Sequence, residues 1–239
     1  MGLVALNFGN LSWPLLLPLT VLAGAVFGAA WAFIPAYLQA KRGSHVVITT
    51  IMFNFIAAAI LTYLLAGPMK RPDGQAPESA DFAASSWFPA LHDVIAGLER
   101  SPANLSIILA LLAAVAYWVF LKRTAQGYEI RVVGKNPNAA NYAGISIARN
   151  IIIAMLISGA LAGMMGANEI LGAQHRLLGS FTAGYGFVGI AVAFMGRHHP
   201  IGLCLAAILF GALYQGGTEM AFEMPKVTRD LMILVQGLV

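Results

Sequence analysis

Two stretches of this chain, Asn104–Leu121 and Asn150–Asn168, run for eighteen and nineteen residues without a charged side chain. Few folds are open to runs of that length. About 20 helical residues at 1.5 Å each cross a hydrocarbon layer of roughly 30 Å. Within lipid each backbone N–H and C=O must be satisfied locally, which a helix achieves and an irregular segment does not. Comparable runs occupy Pro14–Tyr37, Val46–Ala66 and Ile201–Gly217, and the second of the two above continues as Asn150–Leu171. Hydrophobic residues form 59% of the 239 and charged residues 10%, against roughly 25% charged in a soluble domain. The expected class is all-α: a polytopic transmembrane helical bundle, one domain over residues 1–239, embedded in the lipid bilayer.

Lys and Arg set the orientation of such a chain, because the loops that carry them stay in the cytoplasm. Lys41 and Arg42 follow the first run, and Lys122, Arg123, Arg131, Lys135 and Arg149 follow the third, seven in all. The segment at about 67–103 carries three, Lys70, Arg71 and Arg100, among the acids Asp73, Glu78, Asp81, Asp93 and Glu99. Residues 122–149 are therefore expected inside and 67–103 outside. In the outer loop Trp87, Phe88 and Pro89 suit either the bilayer interface or an ordinary loop cluster. The run Tyr185–Gly196 makes only about 18 Å of helix, too short to cross, and reads as a re-entrant half-helix or a broken span. The apolar run Leu231–Val239 is cut short by the end of the chain, from which a fragment of a longer polypeptide is expected. A net charge of +4, scattered as it is, speaks for membrane orientation and against nucleic acid. The single cysteine, Cys204, excludes an internal disulfide.

Motif by motif, catalysis finds no support. Gly184–Gly189 spells GxGxxG but lacks the strand before it and the acid about 20 residues after it that a dinucleotide site requires. Around Gly134 and Lys135, Glu129 and Asn136 stand where a phosphate loop needs Gly and Ser or Thr. His198 and His199 have no third metal ligand close in sequence and suit a turn or interface. No catalytic residue, metal site or cofactor is expected. Gly24 with Gly28, and Gly159 with Gly163, form two GxxxG motifs, which let helices approach closely; a gating surface is the other reading. Asn168 and Glu169 stand at the end of an otherwise uncharged run. An acid there either lines a solute path or reaches the headgroup layer. Asn54, in the middle of Val46–Ala66, poses the same question, with an interhelical hydrogen bond as its default role.

The polar insert Gly127–Gly144, GYEIRVVGKNPNAANYAG, separates two of the apolar runs. Its NAANYAG, Asn138–Gly144, resembles the EAA-type loop of ABC importer permeases, with Ala139, Ala140 and Gly144 in place and Asn138 where the acid commonly stands. Around it, GKNPNAANYAGI, VVITTIMFNFIA, SGALAGMMGANEILG and GYGFVGIAVAFMGRHHPIG are similar, in order and spacing, to the branch of the branched-chain amino acid and ribose-type permeases that serves simple sugars and nucleosides. The likeness runs from about Leu22 to the end.

That resemblance implies a non-enzymatic subunit that moves simple sugars or nucleosides across a bacterial inner membrane. ATP would be hydrolysed on a separate cytoplasmic ATPase subunit, and solute delivered by an extracytoplasmic solute-binding protein. A second permease, identical or related, would complete the pathway. The resemblance also implies an incomplete permease, since helices ahead of Pro14 are missing. A short cytoplasmic coupling helix is expected, with Asn136 as cap, Pro137 in its first turn, Asn138, Ala139 and Ala140 meeting the ATPase, and Gly144 as its stop. From the residues alone, an ion-coupled secondary transporter or channel, an inactive permease fragment, and for the insert a generic basic loop remain open.

Overall fold

The computed structural model describes residues 1–8, 12–71, 76–91, 103–179, 181–182, 184–223 and 237. Part of the expected outer loop and nearly all of Leu231–Val239 lie outside the described residues. Nine helices follow one another among those described: α1 (Gly2–Asn7), α2 (Trp13–Arg42), α3 (Val46–Ala66), α4 (Ser106–Arg123), α5 (Ala125–Lys135), α6 (Pro137–Tyr142), α7 (Ile147–Ala167), α8 (Tyr185–Met195) and α9 (Pro200–Glu223). A 3₁₀ turn covers Ala84–Ser86, and α7 runs on into a π-helical turn, Asn168–Gln174. Extended pairing among the described residues is confined to isolated bridges, such as Lys70 with Ser79 and Glu78 with Leu178.

Five segments are long and apolar enough to span a bilayer: α2, α3, α4, α7 with its π turn, and α9 through Gly217. These are the five expected runs, Val46–Ala66 with the same ends and the other four with shifted ones. The first extends to Arg42 because Gln39–Arg42 still completes helical turns before Gly43, at φ +67, stops it. Large apolar side chains face outward on these helices, Phe27 at 72% and Phe55 at 73% exposure. Lipid is the medium such surfaces fit. Pro18 and Pro35 lie inside α2. Near the first of them the buried Thr20 hydroxyl donates to the Leu16 and Leu17 carbonyl oxygens at 2.9 and 2.8 Å, which satisfies it within its own helix.

The chain forms two compact units, Met1–Thr182 and Ala183–Val239. In the first, α2 and α7 pack antiparallel, Gly24 against Gly163 and Gly28 against Gly159. A Cβ at Gly24 would lie 2.9 Å from the Gly163 carbonyl oxygen, and one at Gly159 would lie 2.5 Å from that of Gly28. Backbone meets backbone here because glycines from the two helices face each other at the crossing. The antiparallel seam sets the C-terminal end of α2, with Lys41 and Arg42, at the same end as the start of α7, with Arg149.

At the opposite end a hydrophobic cluster gathers Ala5, Leu17, Leu65, Met69, Phe82, Ile170, Leu171 and Leu177. The segment after α3 is stitched to the segment after α7. Buried Ser79 accepts from the Leu177 N–H at 2.9 Å, and the Phe82 N–H donates to the His175 carbonyl at 2.9 Å. Trp87, with Phe88 and Pro89 left open between interface and loop, stacks on the His175 ring at 4.0 Å between centroids and donates its indole N–H to the Phe82 carbonyl. The 67–103 segment is thus a packed cap over the helix ends wherever it is described.

In the second unit, α8 and α9 form a hairpin. Gly196 approaches the backbone of Gly202 and Leu203 so closely that a Cβ would lie 2.6 Å from the Leu203 nitrogen. Arg197 and His198 turn the chain at φ +52 and +56. His198 lies edge-on to Phe194 at 5.5 Å, and among the described residues no three His, Cys, Asp or Glu side chains gather as a metal site would need. Tyr185 and Tyr214 meet edge to face at 5.9 Å across the two arms. The short run expected at Tyr185–Gly196 is one arm of this hairpin.

Candidate functional site

Between α4 and α7 the expected cytoplasmic segment holds two helices where one short helix was expected. The additional one, α5, begins at Thr124, whose hydroxyl accepts the Gly127 N–H at 3.0 Å and donates to the Phe120 carbonyl at 2.6 Å. Gly127 is required by closeness: a Cβ there would lie 2.7 Å from the Leu121 Cα, so the chain can fold back onto the end of α4 only without one. The missed signal was Thr124 standing just ahead of a helix-compatible run, which is a cap position.

Asn136 and Pro137 end α5 and begin α6. A residue before proline is pushed out of the α region, and Asn136 sits extended at φ −153, ψ 100. Its N–H donates to the Val132 carbonyl at 3.0 Å, closing α5, while its side-chain oxygen accepts the Ala139 N–H at 3.1 Å, opening α6. Pro137 occupies the first turn, where its missing N–H costs nothing. The helix ends in a Schellman arrangement: the Gly144 N–H donates to the Asn141 carbonyl at 3.0 Å and the Ile145 N–H to the Ala140 carbonyl at 2.9 Å, with Gly144 at φ +75.

One expectation for this helix needs correction. Ala139 and Ala140 were expected to form a single apolar surface for a partner. The structure splits them, leaving Ala139 exposed and Ala140 fully buried against its own chain. A helix of 3.6 residues per turn sends neighbours about 100° apart, and of the two alanines Ala140 is the one on the face packed against the rest of the chain. The outward face is Asn138, Ala139, Asn141 and Tyr142, the last 95% exposed. Lys122, Arg123, Lys135 and Arg149 of the same segment are exposed as well.

Behind α6 lies a group of polar side chains that sequence reasoning passed over. Asn150, 1% exposed, accepts from Gln126 Nε2 at 2.8 Å and donates from Nδ2 to Glu129 Oε2 at 3.1 Å and to the Ser146 carbonyl at 3.0 Å. Asn150 was visible only as the polar start of an apolar run; its partners on α5 are not deducible from a linear pattern.

The residues expected along a solute path lie elsewhere. Asn168 and Glu169 sit in the π turn that prolongs α7. There Asn168 accepts from the Ser106 hydroxyl of α4, and half-buried Glu169 accepts from Gln174 Nε2 at 2.8 Å. Asn54 is exposed in the middle of α3, so the interhelical hydrogen bond expected of it is not formed within the described residues. Gly24, Gly28, Gly159 and Gly163 lie together in the α2–α7 seam described above.

Comparison with known proteins gives one pattern. The family described as branched-chain amino acid transport system / permease component matches residues 1–239. The chain is 37% identical over 238 residues to a glucose ABC transporter permease protein of Haloferax volcanii, covering 96% of this chain and 62% of that protein. It is 39% identical over 226 residues to a guanosine ABC transporter permease protein of Bacillus subtilis, covering 92% and 63%. With a nucleoside ABC transporter permease protein of Lactococcus lactis it shares 36% over 225 residues, covering 90% and 60%. The chain thus spans about three fifths of the length of these curated relatives. No solved structure matches it at comparable significance.

Proposed function

The chain belongs to the family of branched-chain amino acid transport system permease components, and from that membership we propose that it is the transmembrane permease part of an ABC importer. It is a multi-pass membrane protein, placed by this proposal in the inner membrane of a bacterium as one permease domain over residues 1–239. Simple sugars or nucleosides are the solutes, after the substrates named for the relatives above. An extracytoplasmic binding protein delivers the solute, a second permease subunit completes the path, and ATP hydrolysed on a separate cytoplasmic subunit drives the step. The chain itself catalyses no reaction. Asn168 and Glu169 at one end of α7, and Asn54 on α3, are the candidates for lining the path.

The observation that carries this reading is α6. A six-residue helix capped at both ends, held between α5 and α7 and turning Asn138, Ala139, Asn141 and Tyr142 outward, has the build of a contact point for another subunit. The route from there to α7 is short, because only Ala143–Ser146 separates the two helices. Asn138 carries no charge, so this position contributes shape and hydrogen bonding rather than an ion pair to the contact. The test is directional labelling followed by cross-linking. With Cys204 replaced by alanine, Tyr142→Cys is expected to react with an impermeant maleimide only from the cytoplasmic face of sealed vesicles and to cross-link to the ATPase when both are co-expressed. Reaction from the outer face would overturn the proposal.

A further inference from the structure

We infer that Gln126, Glu129 and Asn150 form a clamp that makes α5, α6 and α7 one rigid body, so that displacement of α6 moves the membrane-spanning α7. The inference deepens the reading above and rests on it for the source of the displacement. Three observations carry it. Asn150 is buried, and both polar atoms of its side-chain amide are engaged: its oxygen accepts the Gln126 N–H, and its two N–H groups donate to Glu129 and to the Ser146 carbonyl in its own helix. Both cross-helix partners lie on α5, on either side of buried Gly127, the residue that lets α5 double back onto α4. Finally, α6 has only six residues and a left-handed glycine at its end, so its joint to α7 is a turn that can flex unless something else spans it.

The clamp spans it. A hydrogen bond to a carboxylate from a buried amide is among the stronger neutral-to-charged contacts, and losing one partner leaves the other buried and unsatisfied. A one-turn elbow held only by its caps would dissipate a push in the backbone torsions of Ala143–Ile145. Tied at Asn150, the push reaches the first turn of α7 and travels along it to the glycine seam with α2. Asn150 is thus a positioning residue, acting through α5 and α7 and making no contact with a solute or nucleotide.

The test uses the full-length permease with its ATPase in nanodiscs, on a Cys204→Ala background, with spin labels at Lys135→Cys on α5 and Leu161→Cys on α7. Unaltered at the clamp, the pair is expected to give a single narrow distance, the same without nucleotide and after trapping with ATP and vanadate. In Asn150→Ala the distribution is expected to broaden and become nucleotide-dependent while the ATPase still co-purifies. Glu129→Gln keeps an acceptor for Asn150 without its charge and is expected to broaden the distribution less than Asn150→Ala does. A merely structural role would not make the distance depend on nucleotide in the variant alone. Should Asn150→Ala fail to accumulate, Gln126→Ala removes one arm and is expected to show the same dependence to a smaller extent. A single, nucleotide-independent distance in a well-folded Asn150→Ala or Gln126→Ala complex overturns the clamp. Failure of the ATPase to co-purify even with the parent would instead count against the function proposed above, and the nucleotide-free distance widths would still decide the clamp.

Discussion

Replacing Gly159 by alanine sets two effects of known sign against each other. In a helix interior alanine is favoured over glycine by about 1 kcal/mol. At Gly159, however, the new Cβ would lie 2.5 Å from the Gly28 carbonyl oxygen and 2.5 Å from the Ala32 Cβ, about 1 Å inside an ordinary contact of roughly 3.5 Å. Neither obstacle is the far end of a flexible side chain, so α2 and α7 must part. Overpacking of this kind costs about 1–3 kcal/mol, and a gap of about 1 Å opened along the seam forfeits up to about half of the dispersion energy of the facing atoms. The clash offsets the propensity or exceeds it, and Gly159→Ala is expected to lose up to about 2 kcal/mol. Gly134→Ala is the control. It lies in α5 with nothing within 4 Å of the new atom, and there the same exchange is expected to gain about 0.5–1 kcal/mol. Titration of the purified protein with SDS in mixed micelles, followed by circular dichroism, measures both against the parent. If Gly159→Ala is as stable as Gly134→Ala, the seam does not bear the packing described and the antiparallel α2–α7 pair is misplaced.

Other substitutions probe the insert and the cap. Gly144→Ala forces an L side chain to φ +75 and is expected to cost about 1–2 kcal/mol, read in the same titration. Asn136→Ala removes the side-chain cap of α6 and is expected to cost about 1 kcal/mol, with faster amide exchange at Ala139 as its local signature. Gly127→Val is expected to prevent α5 from folding back on α4, which limited proteolysis of the 122–135 segment from the cytoplasmic face of inside-out vesicles would report. Ser79→Ala strips the Leu177 N–H of its acceptor in a buried site and is expected to cost about 1–3 kcal/mol, seen as protease access to the 67–91 segment from outside.

Much of the scaffold was legible because lipid imposes a one-dimensional rule. An uncharged run long enough to cross reads as a helix, and Val46–Ala66 emerges with the same ends because His45 and Gly67 bracket an unbroken apolar stretch. The same rule located the glycine motifs but not their pairing. Gly24–Gly28 and Gly159–Gly163 lie far apart in the chain, and nothing in either marks the other as its partner. The caps of α6 were legible for local reasons, since Asn136–Pro137 and Gly144 act through backbone torsions within a few residues. What escaped was tertiary. The inward turn of Ala140 depends on which face of α6 meets the rest of the chain, and α5 was hidden because its polar, basic residues read as loop when no burying surface is known. The π turn at Asn168–Gln174 has no sequence signal of its own; its polar residues stood out only as oddities at the end of an apolar run.

Asn136 closes one helix with its backbone and opens the next with its side chain. Such double duty makes the corner between α5 and α6 all-or-none: fraying either terminus strips the other of its anchor, and the proline ring beside it leaves little torsional slack for intermediate angles. A corner of this kind behaves as a rigid bracket, and blows struck on its outer arm are handed on whole or not at all.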